Sequence, residues 1–183
     1  GKDFVFAHAS ADPQSVATAL VRGAFEYQGQ KCSAASRAYI PKSLWPKIKE
    51  DMIGQLQSVK MGPPEDFTNF INAVIDRGAF DSIKSYIDFA KTQHRAKIIW
   101  GGGCNDSNGY FIEPTVIETA DPDFKTMREE IFGPVLTVHV YPDAKFESTL
   151  KICDRTSPYA LTGAIFARDR RAIVKASKIL TNS

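Results

Sequence analysis

Cys32 lies in the run Phe25-Glu26-Tyr27-Gln28-Gly29-Gln30-Lys31-Cys32-Ser33-Ala34, where a thiol follows a glycine-bounded turn. Glycine lets the backbone bend sharply and leaves room for a reactant to approach the sulfur. Cysteine attacks a carbonyl carbon as the thiolate, a form favoured by a nearby cation or a helix N-terminus. Lys31 and Arg37 are the cations nearest in sequence. A second run, Glu129-Glu130-Ile131-Phe132-Gly133-Pro134-Val135, adds carboxylates and an aromatic ring. Thiol, carboxylate and ring together suit covalent chemistry on an aldehyde. By residue type alone a lone cysteine is more often a small buried hydrophobe, and paired glutamates also cap the start of a helix or sit in water.

Strand-like and helix-like segments alternate along the chain, which predicts an α/β fold. Phe4 to Ala7 reads as a strand. Ser15 to Phe25 has helical spacing, with Asp12 as N-cap and Pro13 at the first helical position; this helix delivers the chain to the turn before Cys32. Arg37 to Pro41 alternates like a strand, and Ser43 is placed to cap a helix running to about Ser58. Gly62-Pro63-Pro64-Glu65-Asp66 cannot continue a helix and predicts an exposed loop. A helix is predicted from about Ala79 to Gln93, then a strand from Lys97 to Trp100. Gly101-Gly102-Gly103 reads as a hairpin turn, because it lacks the spacing and the following helix of a phosphate cradle. Tyr110 to Glu118, Val135 to Tyr141 and Ala160 to Ala167 read as strands, and Lys145 to Asp154 and Arg170 to Leu180 as helices.

The 183 residues suffice for one domain, with 43% hydrophobic and 24% charged residues, the balance of a soluble globular protein. No apolar run approaches the ~18 residues of a membrane span. The formal net charge is +2 with acidic and basic residues interspersed, so neither nucleic acid nor an acidic membrane is an expected partner. Cys32, Cys104 and Cys153 are too few and too separated for a disulfide framework, and His8, His94 and His139 show no ligand spacing with them. No metal site is expected, and a reducing compartment fits.

From Gly1-Lys2 to Leu180 the chain resembles the aldehyde dehydrogenase superfamily. The resemblance rests on the aromatic-to-Gly-Gln-x-Cys pattern of Phe25 through Gln30-Lys31-Cys32 and on Glu129 to Val135. It also rests on Asn108-Gly109-Tyr110-Phe111-Ile112-Glu113-Pro114-Thr115 and on Ser157-Pro158-Tyr159-Ala160-Leu161-Thr162-Gly163. It implies a three-layer α/β domain with a largely parallel, doubly wound sheet, and Cys32 on a loop leading into a helix. It also implies that Cys32 forms a hemithioacetal with an aldehyde, that NAD takes the hydride, and that water hydrolyses the resulting thioester. In the family pattern Glu130 accepts hydrogen bonds from the nicotinamide ribose hydroxyls, and Phe132 packs near the nicotinamide.

The block from Phe25 to Pro46, with Val138-His139-Val140-Tyr141-Pro142-Asp143, is similar to the branch of that family that oxidises L-glutamate gamma-semialdehyde to glutamate in the mitochondrial matrix. That likeness implies that the Ser33 hydroxyl donates to the substrate's alpha-carboxylate; a serine after a turn otherwise serves as a helix cap.

Both ends look cut, so residues 1–183 are expected to be the cysteine-bearing catalytic domain of a longer protein that forms homo-oligomers. In the family pattern the general-base glutamate lies just before Gly1-Lys2. The dinucleotide-binding region and the oxyanion asparagine also lie upstream, and the aldehyde-anchoring loop lies beyond Ser183. The 183 residues alone are therefore not expected to turn over. The reading from another class is a non-enzymatic α/β interaction or structural domain derived from an aldehyde dehydrogenase.

Overall fold

The computed structural model describes residues 1–158 and 160–181; Tyr159, in the last of the four matched runs, lies outside them, as do Asn182 and Ser183. The chain runs β1 (Asp3–Ala7), α1 (Pro13–Phe25), a 3-10 turn (Glu26–Gly29), β2 (Ala35–Pro41), α2 (Trp45–Gln57), α3 (Arg77–Thr92) and β3 (Ala96–Trp100). It continues through β4 (Cys104–Asn105), β5 (Phe111–Ile112), β6 (Thr115–Thr119), α4 (Lys125–Arg128), β7 (Val135–Tyr141), α5 (Phe146–Thr156), β8 (Gly163–Phe166) and α6 (Arg170–Ile179).

Local chemistry accounts for most of these limits. Asp12 accepts a hydrogen bond from the Ser15 N–H at 2.9 Å, and Pro13 opens α1 as expected. Asp76 does the same for Ala79 at 2.7 Å, so α3 starts at Arg77, ahead of the predicted Ala79. Ser43 does not cap α2. It turns instead to Asp143, whose carboxylate accepts the Ser43 N–H at 3.1 Å and the Ser43 hydroxyl, and α2 begins at Trp45 with proline in its first turn. The single strand expected over Tyr110 to Glu118 divides into β5 and β6 at Glu113-Pro114, because proline has no N–H for the ladder. Gly101 and Gly102, at φ +68° and +94°, turn the chain out of β3 into the small β4–β5 ribbon rather than closing a hairpin on β3.

Six strands form one sheet in the order β3-β6-β7-β2-β1-β8. Only β3, on one edge, is antiparallel to its neighbour; the remaining pairs are parallel. β1 shows why the sheet is buried on both faces. Val5 and Ala7 join Val16, Leu20, Ile48 and Met52 of α1 and α2 on one side. Phe4 and Phe6 join Phe80, Ile83, Leu150 and Ala176 of α3, α5 and α6 on the other. The period of two along the strand distributes its side chains to both layers. The result is the three-layer, largely parallel α/β fold the sequence predicts.

Candidate active site

β7, β2, β1 and β8 are neighbours and all parallel, so their N-terminal ends lie along one edge of the sheet. The segments entering those strands are Ile131-Phe132-Gly133-Pro134, Cys32-Ser33-Ala34, Gly1-Lys2 and Leu161-Thr162. Topology therefore gathers four runs that are far apart in sequence. Cys32 leads into β2, not into a helix as the sequence reading expects, because crossover connections in this sheet return each helix to a strand.

The turn before Cys32 is wound the left-handed way. Tyr27, Gln28 and Gly29 have φ of 54°, 57° and 65°. The first two carry a Cβ, so each costs about 1 kcal/mol or more. Gln28 is buried and offsets this with its amide: Oε1 accepts the Asn72 N–H at 3.1 Å, and Nε2 donates to the Ala73 carbonyl at 3.4 Å. Gln30 repeats the device on Ile75 at 2.9 Å. The two glutamines hold residues 72–75 against the turn.

Gly29 also meets the second motif directly. A Cβ on Gly29 would lie 2.4 Å from the Gly133 carbonyl oxygen and 2.7 Å from that of Ala24, and a Cβ on Gly133 would lie 2.5 Å from the Ile83 side chain. Gly1 completes the junction. A Cβ there would lie 2.2 Å from the Cys32 carbonyl oxygen, while its amino nitrogen meets the Glu130 carboxylate. Cys32 and Glu130 thus flank one glycine.

Cys32 is exposed. Neither cation suggested by sequence is spent on it. Lys31 pairs with Glu26 at 3.2 Å. Arg37, 1% exposed, donates to the Lys2 carbonyl, the Tyr39 hydroxyl and the Cys153 carbonyl at 2.9, 3.0 and 2.9 Å. The other two thiols are structural. Burial pushes Cys153 up to about 12, and burial also raises half-buried Cys104.

The two adjacent glutamates divide their tasks. Glu129 follows α4 rather than starting a helix, and accepts the Tyr86 hydroxyl at 2.9 Å. Glu130, its side chain 42% exposed, is left facing the junction. Phe132 stands at φ 57° with 47% of its surface exposed, beside Lys31 and Gly133 in a small crevice. Ser33 lines a separate cavity of about 160 Å³ with Asp3, Gly23 and Thr162 to Ala164. Asp3 there accepts the N–H groups of Leu161 and Thr162 at 2.7 and 3.0 Å, tying the entry of β8 to β1.

Gln28, Gln30, Gly133 and Lys2 stand within the runs that the sequence singles out, but sequence reasoning gives none of them a role. Only the left-handed turn hints at one, in the polar Gln28-Gly29-Gln30 triplet.

The chain matches the aldehyde dehydrogenase family over residues 1–182 and belongs to that family. It is 58% identical over its whole length to the mitochondrial delta-1-pyrroline-5-carboxylate dehydrogenase of Dictyostelium discoideum, and 49% identical to that of Homo sapiens. It covers 33% of each, so it spans about a third of the length of these relatives. Among solved structures, the Mycobacterium tuberculosis delta-pyrroline-5-carboxylate dehydrogenase bound with NAD superposes with a TM-score of 0.90 at 45% identity, over 97% of this chain and 32% of that one. Lactaldehyde dehydrogenase from Escherichia coli gives 0.91 at 25% identity, over 98% of this chain and 37% of that one.

Proposed function

We propose that residues 1–183 are the cysteine-bearing catalytic domain of an NAD-dependent dehydrogenase that oxidises L-glutamate gamma-semialdehyde to L-glutamate, the second step of proline catabolism. The observation that carries this reading is the close packing of Gly29 on Gly133, which brings the thiol loop against the Glu130 loop in a chain 58% identical to a delta-1-pyrroline-5-carboxylate dehydrogenase.

The Cys32 thiolate adds to the aldehyde carbon, forming a C–S bond and an alkoxide that the Cys32 N–H helps to stabilise. A donor of that kind is worth a few kcal/mol in such a site. The alkoxide collapses to a thioester as hydride leaves the same carbon, and water then cleaves the C–S bond to give the carboxylic acid and the free thiol. NAD supplies the hydride acceptor when bound. The residues present fit it: Glu130 offers acceptor-only oxygens for adjacent hydroxyls, and Phe132, held out on a left-handed backbone, offers a flat apolar face. Ser33 presents a hydroxyl to the substrate's alpha-carboxylate.

Turnover belongs to the whole protein, which we place in the mitochondrial matrix as a homo-oligomer acting on a small-molecule aldehyde. The 183 residues alone do not turn over. The reading is tested in the full-length protein by following NADH formation from glutamate semialdehyde. Cys32→Ala abolishes turnover and Glu130→Gln raises KM for NAD. Unchanged turnover in the Cys32 variant overturns it, and a steady rise of NADH with the 183-residue chain alone overturns the assignment of inactivity to the fragment.

A further inference from the structure

Lys2 is fully buried at 0% exposure, at the entry of β1 and between the two motif-bearing segments. Its ammonium donates to the Ser36 hydroxyl at 2.7 Å and to the Thr126 carbonyl. Ser36 lies in β2, directly after the Cys32-Ser33-Ala34 turn. Thr126 lies in α4, immediately ahead of Glu129 and Glu130, and its own hydroxyl accepts from Thr137 of β7 at 2.7 Å. Lys2 is held in turn by Arg37, which donates to its carbonyl.

No carboxylate lies within ion-pair distance of Lys2 among the described residues; Glu129 acts on it only at longer range. Burying an amine among a hydroxyl, a carbonyl and a guanidinium costs desolvation that an apolar side chain of equal length would avoid. Burial and Arg37 accordingly lower its pKa to about 7. Lysine differs from such an apolar side chain in having donors that bind two segments at once.

We propose that Lys2 is a positioning residue that fixes the Glu130 loop against the Cys32 loop by bridging Thr126 and Ser36. The inference rests on the reading of Glu130 as the ribose contact. Losing the bridge frees α4 and misplaces Glu130 while leaving the thiol loop, separately held by Gln28 and Gln30, in place. The signature is a split between cofactor affinity and chemistry.

The test is steady-state kinetics in the full-length enzyme. Lys2→Met raises KM for NAD at least tenfold with kcat within about threefold. Ser36→Ala, which removes one end of the bridge with less disturbance, shifts KM for NAD in the same direction by several fold. Met52→Ala, a core variant in α2 away from the bridge, controls for general loss of stability and leaves KM for NAD unchanged. The proposal is overturned if Lys2→Met and Ser36→Ala keep the parent KM, or if kcat and KM change in Lys2→Met as they do in Met52→Ala. If Lys2→Met does not fold, Ser36→Ala alone decides. Glu130→Gln separates the two readings. An unchanged KM there refutes the ribose assignment; a raised KM there with unchanged Lys2 and Ser36 variants refutes only the bridge.

Discussion

Gly29 and Gly133, one from each of the two motifs, pack backbone to backbone so closely that a Cβ on Gly29 would sit 2.4 Å from the Gly133 carbonyl oxygen. This contact sets the spacing between the loop that carries the thiol and the loop that carries Glu130 and Phe132. It also explains why a residue with no side chain is needed at a point where no turn between adjacent strands is made.

Gly29→Ala therefore meets two penalties. Alanine is strained at φ +65°, and its methyl has only backbone in front of it, at Gly133 and Ala24. The expected loss of stability is about 2–4 kcal/mol. Urea unfolding checks it; a midpoint unchanged from the parent refutes the packing.

Gln28 is the prop of the left-handed turn. Gln28→Ala keeps the unfavourable backbone geometry and removes both amide bonds to residues 72 and 73. About 2 kcal/mol of stability is lost, and the Asn72 amide, now without its acceptor, exchanges with solvent faster than in the parent. Hydrogen exchange followed by NMR reports both, and an Asn72 amide as protected as before would contradict the assignment.

The three thiols should separate cleanly in alkylation. At pH 8 iodoacetamide labels exposed Cys32 first, half-buried Cys104 more slowly, and Cys153 only on unfolding, since burial both hides it and holds its thiol protonated. Time-resolved mass mapping measures the order. Equal rates at all three would show that Cys32 is no more accessible than the structural thiols.

Lys2 makes stability depend on pH with a definite sign. Below about pH 7 it is protonated in both the folded and unfolded chain, and the cost of burying its charge stands in full. Between about 7 and the ordinary lysine value of 10.5 the unfolded chain binds a proton that the folded chain releases, so this group's contribution to stability rises with pH. The rise amounts to at most about 5 kcal/mol. Lys2→Met removes it. Thermal or urea unfolding of both proteins from pH 6 to 10 gives the difference, and parallel curves would mean that Lys2 keeps its proton throughout.

Much of this protein is legible one short window at a time. Asp12-Pro13 starts α1, the alternation from Val135 to Tyr141 marks β7 to the residue, and the pattern around Cys32 singles out the thiol. These signals are local, because caps, strand periodicity and turn residues act within a few positions of the chain. One limit that the sequence misplaces turns on a competing partner: Ser43 leaves its helix for Asp143, a residue remote in sequence.

Tertiary structure alone decides what surrounds the thiol. Four parallel strands line up their N-terminal ends, and only then do Gly1, Cys32, Gly133 and Leu161 come to one edge. Arg37, which the sequence offers as a cation near Cys32, and Lys2 are both buried in the fold, because carbonyls, hydroxyls and, for Arg37, the faces of Phe4 and Tyr39 supply what solvent would have supplied. Burial of a charge depends on partners brought from elsewhere in the chain. The sequence by itself determined which residue could be the nucleophile; the crossover topology decided which strand it leads into and which polar groups hold its loop in place.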